Sequence, residues 1–122
     1  MYIREKMWNK AINHFRLALN GYPNDPFLLD GLGNLLISCP DTTLRNIKEA
    51  REYSERAFIN YKSTYSTKIS AGKVLVTAYA VMGDKKNASK YINLVINLAK
   101  ERNVPLDYTY FETLKRQYNI SK

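Results

Sequence analysis

Apolar residues recur along this chain three and four positions apart and almost never alternate. Ala11, Phe15 and Ala18 form one such row, Leu29, Leu32 and Leu36 a second, and Leu75 and Tyr79 a third. Ala88, Ile92 and Val95 follow, and near the end Tyr108, Phe111, Leu114 and Tyr118. That spacing returns side chains to one face of a helix, whereas a half-buried strand needs a period of two. The pattern predicts an all-α chain with helices near 9–21, 26–38, 46–60, 67–82, 85–102 and 106–118.

The residues between these rows are helix punctuation. Asp25 before Pro26 is a strong start, because a carboxylate caps free N–H groups and proline tolerates the first helical position. Asn46 and Glu49 have capping-box spacing, and Asp84 follows a glycine able to close the preceding helix in a left-handed conformation. Met1–Glu5 reads as one turn of another helix, separated from the helix at 9–21 by a break around Trp8. Buried positions should include Ala11, Ala18, Leu32, Ala50, Ala57, Leu75, Tyr79 and Ala88.

Cut at these marks, the chain falls into helical hairpins that resemble one another. Ala11, Phe15, Ala18 and Pro23 match the A-x3-F and closing-proline pattern in the second helix of a tetratricopeptide repeat. Trp8 suits the aromatic that the family often places at the turn between helices. Ala88, Ile92 and Val95 repeat the frame, preceded by Leu75, Tyr79 and Gly83 at the family's leucine, tyrosine and turn-glycine places. Leu29, Leu32, Gly33 and Leu36 fit another first helix, with Ala50 and Ala57 as the small residues of its partner. The chain departs from the family in Ser54, which replaces an aromatic, and in PDTTLRN, which lengthens the middle hairpin as in a variant of bacterial repeat proteins.

The resemblance implies a right-handed α-α superhelix of stacked hairpins, about two and a half repeats plus a capping helix. Its units would be 1–25, a truncated first repeat; 26–62, a second with the insertion; 66–103, a third; and 105–119, the cap. In that register Met1 falls near the tenth position of a repeat of about 34 residues, so the chain reads as the end of a longer array. A short complete protein with a degenerate first repeat is the other reading. An end without its neighbour should leave Ile12, Phe15 and Leu19 uncovered, and weak self-association through that end is then expected. The resemblance also implies a concave face lined by first helices: Phe27, Asp30, Asn34 and Ile37 from the second unit, Lys73, Thr77 and Val81 from the third, and Ser70 near the rim. Such a strip suits a peptide or partner segment. Asn34 and Lys73 match the carboxylate clamp of some family members, but Asp30 sits where that clamp needs a lysine.

Composition narrows the chemistry. The 122 residues include one cysteine, which rules out an intramolecular disulfide and suggests a reducing, cytoplasmic setting. No apolar run is long enough for membrane insertion. Of the net charge of +8, almost all lies in the second half, where 11 basic residues face 4 acidic ones, against 8 and 7 in residues 1–60. With ten tyrosines this suggests single-strand nucleic-acid binding, and Tyr61 and Tyr65, interleaved with Lys62 and Lys68, are the aromatics the repeat frame leaves unused. The charge is scattered, so solvated helix faces explain it more simply and nucleic acid ranks below a protein partner. Catalysis lacks a constellation: His14 and Cys39 are the sole histidine and cysteine. His14 occupies the repeat position of Tyr53 and Tyr91, at the edge of a packing face, and Cys39 reads as a small buried residue. No spacing suits a metal or cofactor, and Gly31-Leu32-Gly33 lacks the later glycines of a phosphate loop.

Overall fold

The computed structural model describes residues 2–39 and 45–120, and among these every regular element is a helix. Six helices follow in order: α1 (Tyr2–Gly21), α2 (Pro26–Ser38), α3 (Ile47–Ile59), α4 (Tyr65–Val81), α5 (Lys85–Glu101) and α6 (Tyr108–Gln117). The Asp25, Asn46 and Asp84 side chains accept from the backbone N–H groups of Leu28, Glu49 and Asn87, as their spacing predicts. Two further caps start helices at other places than expected. The Thr64 hydroxyl accepts from the Thr67 N–H and begins α4 at Tyr65, and Asp107 accepts from the Thr109 N–H and begins α6 at Tyr108. Gly83 closes α4 at a φ of +81°, while Asn103 and Asn119 take the same left-handed role after α5 and α6 at 53° and 55°. Behind each, a backbone N–H bonds five residues back: Asp84 to Tyr79, Val104 to Ala99 and Ile120 to Lys115.

The break expected near Trp8 is absent, and α1 runs through it for 20 residues. Lys6-Met7-Trp8-Asn9-Lys10 contains neither glycine nor proline, so nothing local stops the helix. The buried face of α1 is also rotated by one position from the expected one. Ile12 and Leu19 are buried, and Phe15 lies half-buried against Gly31, so these three are not the uncovered residues anticipated. Ala11 and Ala18 are half-buried instead, and His14 is exposed rather than set at a packing edge. Among the described side chains of α1, the exposed large apolar ones are Met7 and Leu17, and these are available for any pairing of copies through this helix.

Helices pack in sequence, α2 on α3, α3 on α4 and α4 on α5, with α2 also reaching α4 directly. Glycines set the close approaches. A Cβ on Gly33 would fall closer than 3.0 Å to the Ser54 hydroxyl, and one on Gly72 would collide with Val95. Ser54 is thus small for a reason, since an aromatic there would strike the α2 backbone. The core has two parts. One gathers Ile12, Leu19, Leu29, Leu32, Leu36, Ala50 and Ala57 with Ala71 and Val74 of α4. The other joins Leu75, Val76 and Tyr79 of α4 to Ala88, Tyr91, Ile92 and Val95 of α5 and to Phe111 and Leu114 of α6. Phe58 packs against both. The end of the chain departs from expectation here: Tyr108 is exposed and Tyr118 half-buried, while Ile120 joins the core.

The inserted stretch between α2 and α3 falls mostly in Pro40–Leu44, outside the described residues. Its two ends are tied together, because the Asn46 N–H donates to the Leu36 carbonyl and Arg45 Nε to that of Cys39. Cys39 itself is fully buried.

Candidate functional site

α2 and α4 lie side by side, and the start of α6 leans over them. The trough between the three helices encloses about 490 Å³. Asn34, Ile37 and Ser38 line it from α2, and Ser66, Ile69, Ser70, Lys73, Val74 and Thr77 from α4. Asp107 and Tyr110 close it from α6. Of the eight residues expected on a concave face, Asn34, Ile37, Ser70, Lys73 and Thr77 meet in this groove. Phe27, Asp30 and Val81 do not line it. Phe27, at the second position of α2, and Val81, the last residue of α4, are both exposed. Asp30 is half-buried one turn behind Asn34.

A polar network fixes the groove wall. Asn34 Nδ2 donates to Ser70 Oγ at 3.1 Å, and to the carboxylate and the backbone carbonyl of Asp30 at 3.0 Å each. This bridge locks α2 to α4 and turns the amide of Asn34 away from free rotation. Burial holds the Asp30 carboxyl above its usual range, against the hydrogen bonds from Ser70 and Asn34 that favour its charge. Thr77 donates its hydroxyl proton to the Lys73 carbonyl at 3.0 Å, so in the Thr77–Tyr110 hydroxyl contact Tyr110 is the donor. Lys73 Nζ stands 5.7 Å from the centroid of the Tyr110 ring. Its ammonium has no carboxylate partner among the described residues. The groove therefore presents an apolar floor (Ile37, Ile69, Val74), a row of hydroxyls, one cation over an aromatic ring and, at the start of α6, the capping carboxylate of Asp107.

Tyr110 and Asp107 were not legible as groove residues. Position 110 lies one residue before the buried stripe of α6, and only the docking of α6 on α4 turns it inward. The aromatics left over by the repeat frame fare unequally: Tyr61 is exposed, but Tyr65 is covered by the Arg102 guanidinium 4.0 Å above its ring. Exposed His14 and buried Cys39 stand apart from this groove. Among the described residues no cluster of three or more His, Cys, Asp or Glu side chains is placed to hold a metal ion.

No protein-family model, curated protein or solved structure matches this chain.

Proposed function

We propose that this chain is a non-catalytic protein-interaction scaffold of the tetratricopeptide type, acting in the cytoplasm, and that the α2–α4–α6 groove receives a peptide or partner segment. The observation that carries the reading is the groove itself, where five residues expected from the repeat register meet. Its size and its mixture of apolar floor and convergent polar groups suit a short stretch of extended or helical peptide. The packing agrees: α2 and α4 touch directly while α3 and α5 share no comparable packing, as expected where first helices line an inner face. Lys73, held against Tyr110 and in no ion pair among the described residues, favours a segment carrying a carboxylate or a cluster of carbonyl oxygens.

Selection from a random peptide library displayed on phage tests this. Selected peptides should bind the purified protein, and Lys73→Glu should weaken them by about tenfold, the value of one charge-assisted hydrogen bond. Ser66→Trp, placing bulk at an exposed rim position, should block them without disturbing the fold. Peptides that bind both variants as well as the parent would overturn the assignment.

A further inference from the structure

Among the described residues, Lys73 and Asp107 are the only charged ones that line the trough, and they carry opposite signs. Opposite charges in one recess attract each other, yet this pair is not formed. The Lys73 ammonium lies over the Tyr110 ring instead, one helical turn past Asp107. That ring is fixed, since its hydroxyl donates to Thr77. Asp107 is fixed as well, because one carboxylate oxygen accepts from the Thr109 N–H to start α6. Its other oxygen takes no hydrogen bond among the described residues.

The neutral groups of the trough compensate neither charge. Thr77 gives its proton to the Lys73 carbonyl, Ser38 to that of Asn34, and Ser70 turns its hydroxyl to the Asp30 carboxyl. Both hydrogens of the Asn34 amide are spent on Asp30 and Ser70. The donors that could have satisfied Asp107 are thus committed within the wall, and the wall shows a ligand mostly lone pairs. A bound segment meets these acceptors, an ammonium at one place and a half-used carboxylate at another.

We infer that the trough selects a segment with an acidic and a basic side chain close together, the acid seated on Lys73 and the base on Asp107. This rests on the groove reading above and adds the basic half of the segment to it. A purely acidic segment would satisfy Lys73 and be drawn in by the net charge of +8, but it would bring a like charge toward Asp107. A purely basic one would do the same at Lys73. Each charge therefore rejects what the other accepts, which is how a site gains specificity. Arginine suits the Asp107 end best, because its fork of N–H groups can bond the free carboxylate oxygen and neighbouring lone pairs together.

The test sequences the peptides selected on the full chain and measures their binding by fluorescence anisotropy. They should carry a neighbouring acid and base, and replacing the basic residue by glutamine should weaken them about threefold, as befits a partly exposed ion pair. Asp107→Ser removes the charge but keeps a side-chain cap for α6, so circular dichroism should be unchanged. It should cost the parent peptide about the same threefold and cost the glutamine peptide little, which couples the two changes. Lys73→Glu should be rescued when the acid of the peptide is replaced by lysine. Selected peptides that carry acids alone, or an Asp107→Ser effect equal on the parent and glutamine peptides, would overturn the inference and leave the groove reading standing. Peptides indifferent to Ser66→Trp, or no binding peptide at all, would overturn both.

Discussion

The Gly33–Ser54 contact makes a sharp demand on stability. Ser54 is fully buried, and its hydroxyl has no hydrogen-bond partner among the described residues. Gly33 is the residue it presses against, and a Cβ there would intrude on that oxygen closer than 3.0 Å. Gly33→Ala alone should therefore overpack the α2–α3 contact, at a cost of about 1–3 kcal/mol. Replacing glycine by alanine in a helix interior returns about 1 kcal/mol, leaving a net loss near 1 kcal/mol. Ser54→Ala removes the stranded hydroxyl and should stabilise by about 1 kcal/mol. With the oxygen gone, the new Cβ would meet Ser54's own Cβ position at 3.6 Å and the Ala50 carbonyl at 3.4 Å, both tolerable. In that background Gly33→Ala should stabilise, so the same substitution changes sign. Urea unfolding of the four proteins, followed by circular dichroism, gives the coupling energy, expected near 2 kcal/mol. Equal effects of Gly33→Ala in both backgrounds would refute the account of how α2 and α3 approach.

Other perturbations reach other parts of the molecule. Arg16 donates to Glu49 through Nη1 and Nη2, each at 2.9 Å, holding that carboxyl below the usual glutamate range. The resulting stability is present above the ordinary glutamate value and is lost as pH falls through the lowered one. Arg16→Met should therefore cost about 0.5–1 kcal/mol at neutral pH and flatten the acid limb of a stability-versus-pH curve. Burial, and behind it Glu55, pushes the Tyr91 hydroxyl up to about 12. The folded value lies above the unfolded one, so this stability is intact below pH 10 and drains away as pH rises toward 12; Tyr91→Phe should reduce that alkaline slope in chemical-denaturation measurements. Ile12→Lys buries an ammonium beside Leu29 and Leu32 and should lower the melting temperature by 10 °C or more, about what the loss of 2–3 kcal/mol produces. A melting curve unchanged by it would mean α1 is not docked. Finally, oligonucleotide titration should show no binding near physiological salt, and a salt-dependent micromolar affinity lost in Lys85→Glu/Lys86→Glu would restore the nucleic-acid reading.

Much of the fold was legible because its determinants are local. Asp25, Asn46 and Asp84 announce helix starts by chemistry that acts within three residues, and those starts fall where expected. Spacing likewise identified Leu32, Ala50, Ala57, Leu75, Tyr79 and Ala88, all buried. Errors arose where a family frame was laid over local physics. Trp8 was seated at a turn although its neighbours contain no helix breaker, and the register of Ala11 and Ala18 assumed a helix on their far side. In the groove, the repeat register named Asn34, Ile37, Ser70, Lys73 and Thr77, and these five line one trough. It could not reveal that α6 would bring Tyr110 onto Thr77, because that pairing joins residues 33 apart. Nor does any pattern within α2 say that its first turn, with Phe27, projects past the groove.

α4 differs from its neighbours in the width of its buried face. Ile69, Ala71, Gly72, Val74, Leu75, Val76, Ala78, Tyr79 and Ala80 are all buried, so its apolar residues cover all of its circumference except the groove stripe of Ser66, Ser70, Lys73 and Thr77. Part of that surface completes the core with α1–α3, and another part the core with α5 and α6. Neither half can therefore melt and leave the other intact, since whichever half kept α4 would expose a strip of it to water. A chain built from repeating hairpins would be expected to fray from its ends one hairpin at a time. Here the shared helix binds the two halves into one cooperative unit, and amide hydrogens in α4 should exchange only through global unfolding. Splitting the chain between α3 and α4 would give two fragments that each need the other to fold.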